Sequence, residues 1–143
     1  DSNANTVLPG AIHDNDGLPI DLGDDGPTPN DANDADSGPD TLLNYPIITA
    51  SSGRVITGTV CLNCQVWIYQ AIGDAHAPRG GGSYIAHVTA GAQGGWTATL
   101  PAGLTHTDVS VIACEAPCDA TSNVSEMSPS APHVKLYLPL LKR

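Results

Sequence analysis

The sequence predicts an all-β protein, an immunoglobulin-like β-sandwich preceded by an Asp-rich loop segment. Short runs rich in Val, Ile and Thr recur between turn signals at the spacing of about 8–12 residues that sandwich strands show. Apolar residues never keep a helical period for about ten residues. Gly 15 and Pro 12, no Phe and only 14% charged residues suit a chain of strands and turns.

Asp1–His13 passes from polar to mildly apolar (Val7, Leu8, Pro9, Ala11, Ile12), as an arm or a short strand would. The acidic stretch Asp14–Asp40 follows, and inside it Leu18, Ile20 and Leu22 alternate, so part of it is expected to lie on a sheet as a strand. From Leu42 the texture changes. Tyr45–Thr49 opens a series continued by Val55–Val60, Gln65–Ala71, Ser83–Thr89, Trp96–Leu100, Val109–Cys114 and a weaker run at Asn123–Ser128. Ser51-Ser52-Gly53, Leu62-Asn63, Arg79-Gly80-Gly81-Gly82, Gly91–Gly95 and Pro101-Ala102-Gly103 are the turns between them. Two packed sheets would bury alternate residues: Val66 and Ile68, Trp96 and Ala98, Val109 and Val111.

Asp14–Asp40 holds nine aspartates, no glutamate and no basic residue, and it carries most of the net charge of −10. Carboxylates about 7 Å apart repel by roughly 0.6 kcal/mol per pair in water. Such a run is either a solvated linker or is neutralised by something. Asp rather than Glu, set among Gly and Pro turns, favours neutralisation. Short carboxylates aim at one centre while Asn and carbonyls fill the other places, which is how calcium finds its six to eight oxygens. The candidate ligands are Asp14, Asp16, Asp21, Asp24, Asp25, Asn30, Asp31, Asp34, Asp36 and Asp40. The site is not an EF-hand, because neither Asp14 nor Asp34 is followed by Glu at the twelfth position.

The acidity excludes nucleic acid as a natural partner. No apolar run of about eighteen residues is present, so no membrane insertion is expected. The opening on Asp1, without initiator Met or signal peptide, fits a processed product. Four cysteines in two close pairs, Cys61/Cys64 and Cys114/Cys118, fit an oxidising compartment, so the chain is expected to be secreted or exposed at a cell surface. Disulfides explain them better than a four-thiolate zinc site. The local pairs are preferred, with cross-pairing geometrically open.

Nothing in the sequence makes a catalytic constellation. His13, His76, His87, His106 and His133 have no ligand spacing, no serine stands in a nucleophile elbow, and the glycines of 80–82 precede no helix. No enzymatic activity is expected. Trp67, Tyr69, Tyr84 and Trp96 could line one sheet face as a sugar-stacking platform, although such residues are more often core or cross-strand pairs. Asn123-Val124-Ser125 fits a glycosylation acceptor, a weak signal on its own. The final stretch, 133–143, is the most apolar. Val134, Leu136, Leu138 and Leu140 fall on one face of a strand, which is an aggregation hazard unless its own domain or a neighbour covers it.

The run Gly17–Asp31, continued by Asp34–Pro39 and Asn44-Tyr45-Pro46, resembles the segment that closes the right-handed parallel β-helix of large bacterial surface proteins. In that adhesin-like family the segment leads straight into an Ig-like domain, to whose strand-turn-strand Gly58–Tyr69 is similar and to whose end Thr121–Ser128 is similar. The resemblance covers about residues 12–128 and implies a surface or adhesion role with few assigned activities. Repeats of the β-helix do not precede Asp14, which implies that the segment packs on something else. The expectation is an arm and calcium segment at 1–41, a sandwich at 42–132 and an apolar strand at 133–143. Together they make an extracellular subunit that polymerises with copies of itself by strand exchange. The alternative is a surface adhesion or polysaccharide-binding module.

Overall fold

The computed structural model describes residues 3–6, 10–15, 17–72 and 80–129. Six strands form two three-stranded antiparallel sheets: β1 (Ile47–Ser52), β2 (Val55–Thr59), β3 (Gln65–Ile72), β4 (Gly80–Thr89), β5 (Gly95–Thr99) and β6 (Val109–Cys114). The first sheet has the order β1-β2-β5 and the second β4-β3-β6. No α-helix occurs among the described residues, only 3-10 turns at Pro39–Leu42 and His106–Asp108.

Period-two alternation builds the core. Ile56 on β2, Val66 and Ile68 on β3, Trp96 and Ala98 on β5, and Val109 and Val111 on β6 meet between the sheets with Ala90 and Leu100. These are the residues that the alternation puts inside. Gly58 is a requirement of this packing, because a Cβ there would collide with the Trp96 ring and the Ile47 carbonyl.

β6 is buried along its whole length, so this strand is covered on both faces. On the outer face Tyr69, Ile112 and Cys114 pack with Val124 and Met127, and with half-buried Ile12, Ile20 and Trp67. The N-terminal segment therefore lies on the protein's own sandwich. Leu18–Leu22 forms no strand, contrary to the alternation. Asp21 bends the chain instead, its carboxylate accepting the N–H groups of Asp25 and Gly26.

Asn123–Ser128 is not a regular strand either, yet it runs antiparallel beside β6. Glu115 N–H donates to the Asn123 carbonyl, and the Ser125 and Ser128 N–H groups donate to Ala113 and Val111. The hydroxyls of Ser125 and Ser128 accept the Ala113 and Val111 N–H groups, completing a ladder made half of side chains. β4 begins at Gly80 rather than Ser83, because Gly80 and Gly81 pair with Ile72 and Ala71. The cysteines close two local disulfides, Cys61–Cys64 and Cys114–Cys118. Val134, Leu136, Leu138 and Leu140 lie outside the described residues, as do Asp16, His76 and His133.

Candidate metal centre

Asp31, Asp34 and Asp36 bring one carboxylate oxygen each to within 4.8 Å of one another. Asparagine side chains create this geometry. The Asn30 amide clamps the Tyr45 backbone, Nδ2 donating to the carbonyl at 2.8 Å and Oδ1 accepting the N–H at 3.0 Å. Asn44 does the same for Asp31, donating to its carbonyl at 3.0 Å and accepting its N–H at 2.9 Å. The Asn44 N–H donates to Asp34 Oδ1 at 2.8 Å. Residues 30–31 and 44–45 are stitched together, and the loop between them is turned so that its acids converge.

Among the described residues no basic side chain pairs with these carboxylates, and the ion pair nearest in sequence joins His13 to Asp14. Partial burial, and then the charges of Asp36 and Asp31, raise the Asp34 carboxyl above its usual range, against the lowering effect of the Asn44 N–H. Asp36 Oδ1 is buried with no hydrogen-bond partner among the described residues. A buried carboxylate oxygen without a donor is costly unless a cation sits against it. An all-oxygen set suits a hard cation, and calcium tolerates irregular geometry better than magnesium does. Of the ten non-glycine residues with positive φ among the described residues, seven lie between Asp14 and Leu42; five of these are Asp or Asn, which adopt that conformation readily, and Thr41 and Leu42 carry the strain.

The other candidate ligands go elsewhere. Asp14 is exposed beside His13, Asp21 serves its own turn, and Asp24 and Asp25 point outward. Asn30 is the backbone clamp just described. Asp40 is only 1% exposed, and its carboxylate accepts the N–H groups of Asn5 and Val124 and the Asn5 amide. A second buried acid, absent from the sequence-level candidates, is Glu126. It accepts the Leu22 and Thr28 N–H groups and the Thr28 hydroxyl. Asp40 and Glu126 thus fasten the acidic segment to the 123–128 stretch. The available signal for Glu126 was its isolation, one acid among Val124, Ser125 and Met127.

A cavity of about 540 Å³ adjoins the triad, lined by Asp31, Asp34, Tyr45, Ile47, Val60 and Leu62 among others. Of the four aromatic residues read as a platform, Trp96 is in the core, whereas Trp67, Tyr69 and Tyr84 share the outer face. His87 joins them, stacked on Trp67 at 4.7 Å between ring centroids and bonded to the Tyr84 hydroxyl at 2.8 Å. The Asn123 side chain is committed at both ends, to the Ala4 N–H and to Glu115.

No protein-family model matches the chain, and no curated protein or solved structure is significantly similar to it.

Proposed function

We propose that the chain is an extracellular structural module, a calcium-braced immunoglobulin-like sandwich that joins copies of itself through residues 133–143. The observation that carries the reading is the convergence of Asp31, Asp34 and Asp36 in one loop, with one carboxylate oxygen buried and without a hydrogen-bond partner among the described residues. One divalent cation there offsets the mutual repulsion of three acids and locks the segment onto the sandwich. The strand orders, with 123–128 continuing the β4-β3-β6 sheet past β6, support an immunoglobulin-like topology. The two disulfides favour a secreted or surface location. A place in the β-helix surface-protein family rests on the resemblance of residues 12–128. Its closing segment here packs on its own sheet through Ile12 and Ile20, so assembly needs only the apolar strand at 133–143.

The test is thermal unfolding with calcium and with excess chelator. A ligand at a hundred times its dissociation constant adds about 2.7 kcal/mol, so chelation should lower the melting temperature by several degrees and open residues 30–36 to protease. Coincident melting curves, with calcium shown to be removed, would contradict the proposal.

A second reading, binding of a surface polysaccharide, is favoured by the Trp67–Tyr84–His87 cluster, in which Tyr84 is 42% exposed. It predicts a monomer whose melting point rises with a specific glycan, and loses that rise in Tyr84→Ala.

A further inference from the structure

We propose that the cavity between the acidic triad and the Cys61–Cys64 turn receives the apolar, basic segment 133–143 of a second copy. The inference rests on the self-association reading and names its acceptor site. The two most exposed large apolar side chains of the described surface, Leu62 at 64% and Ile47 at 46%, both line this one cavity. Leu62 stands at the tip of a four-residue turn closed by a disulfide, so it is presented to solvent with little conformational freedom left to lose. Exposed apolar groups concentrated around one concavity mark an interaction site.

Charge identifies the occupant. Asp31 and Asp34 line the cavity, and together with Asp36 they keep a net negative charge when one divalent cation is bound. Of the five Lys and Arg residues of the chain, three (Lys135, Lys142 and Arg143) lie in 133–143, which contains no acid and carries Val134, Leu136, Leu138 and Leu140. A lining that is both apolar and acidic complements a segment that is both apolar and basic.

The position of Pro129 suits an acceptor in a second copy. Asn123 sits beside Glu115 and Ser128 beside Val111, so the chain reaches Pro129 at the Val109 end of β6. The cavity lies at the opposite pole, where β3 begins at Gln65 opposite Cys114. A segment leaving one pole and an acceptor at the other make a heterologous contact that repeats as an open, head-to-tail filament.

The experiment is sedimentation velocity of the full chain in calcium, compared with a Leu62→Asp chain, with a Leu136→Asp/Leu138→Asp chain, and with an equimolar mixture of the two variants. Leu62 is on the surface, so Leu62→Asp should keep the native near-UV circular dichroism. The expected result is assembly of the unsubstituted chain, weakening of its self-association at least tenfold in either variant, and dimers in the mixture, where one variant keeps the donor and the other the acceptor. If Leu62→Asp assembles like the unsubstituted chain while the 136/138 variant does not, the acceptor is elsewhere: the inference falls and the self-association reading stands. If both variants are monomeric and their mixture stays monomeric, the two surfaces do not meet and the inference falls too. If the unsubstituted chain is a monomer, or the 136/138 variant assembles normally, the underlying reading falls and takes the inference with it.

Discussion

Replacing Glu126 by Ala should detach the acidic segment from the sandwich while leaving the two sheets intact. Glu126 is 4% exposed and accepts three hydrogen bonds, from Leu22 N at 3.1 Å, Thr28 N at 3.0 Å and Thr28 Oγ1 at 3.2 Å. Bonds to a charged acceptor contribute about 1.5–3 kcal/mol each. Water reaches half-buried Leu22 and Thr28 once the acceptor is gone, and removing a buried charge that has no cationic partner among the described residues gives back part of its desolvation. The net loss expected is about 2–4 kcal/mol, or about 6–12 °C of melting temperature at roughly 3 °C per kcal/mol. Glu126→Gln keeps the shape and one acceptor but turns an amide N–H₂ toward the Thr28 N–H or the Leu22 N–H, so about half that loss is expected. Circular dichroism melting gives the magnitude, and limited proteolysis in calcium gives the place, with new cleavage confined to residues 17–30. A melting point within about 1 °C of the unsubstituted chain, with 17–30 still protected, would refute the reasoning that this carboxylate is the fastening.

Three further outcomes follow from the site and the turns. In chelator, carbon-detected NMR should show Asp34 titrating above its ordinary 3.8, and Asp119, held down chiefly by the Thr121 hydroxyl and N–H, titrating below it. The signs are opposite. A raised folded pKa means that Asp34 favours the folded loop below 3.8 and loses that contribution as the pH rises through its folded value, whereas Asp119 contributes above 3.8 and is lost on acidification through its lowered value. Calcium should reverse the Asp34 shift, because the ion binds only the ionised carboxylate; an Asp34 titration indifferent to calcium would remove it from the ligand set. Cys61→Ala with Cys64→Ala should cost no more than about 2 kcal/mol, since so short a loop removes little unfolded-chain entropy, and intact mass should show four hydrogens fewer than the reduced chain.

Strand positions were legible where alternation met clear turn residues. Val109–Cys114 was placed to the residue, and Gln65–Ala71 missed only Ile72. The start of β4 was missed because glycines that pair in a ladder have the same sequence signal as glycines that turn. Leu18, Ile20 and Leu22 misled because a period of two says which residues face a surface, not that the backbone is paired; Pro19 and the Asp21 turn keep this stretch out of the sheet. In the acidic run, composition marked a cluster of acids but not which of them converge. That selection is made by Asn30 and Asn44, whose amides act on backbone about fifteen residues away in sequence, and no local pattern encodes such a contact. Asp40 was counted with its neighbours in sequence, yet it faces Val124, eighty-four residues on. Trp96 faces the core, as its alternation with Ala98 indicates; what its own strand does not carry is that β2 makes room for the ring with Gly58 opposite it.

Isothermal titration of calcium into the chelator-stripped full chain tests the central claim most directly, with the Asp34→Asn and Asp36→Asn chains alongside. The account predicts saturable binding at or below millimolar concentration, with at least one site lost in each variant because its ligand no longer carries charge. Binding that is absent from the unsubstituted chain, or that is unchanged in both variants, would contradict it.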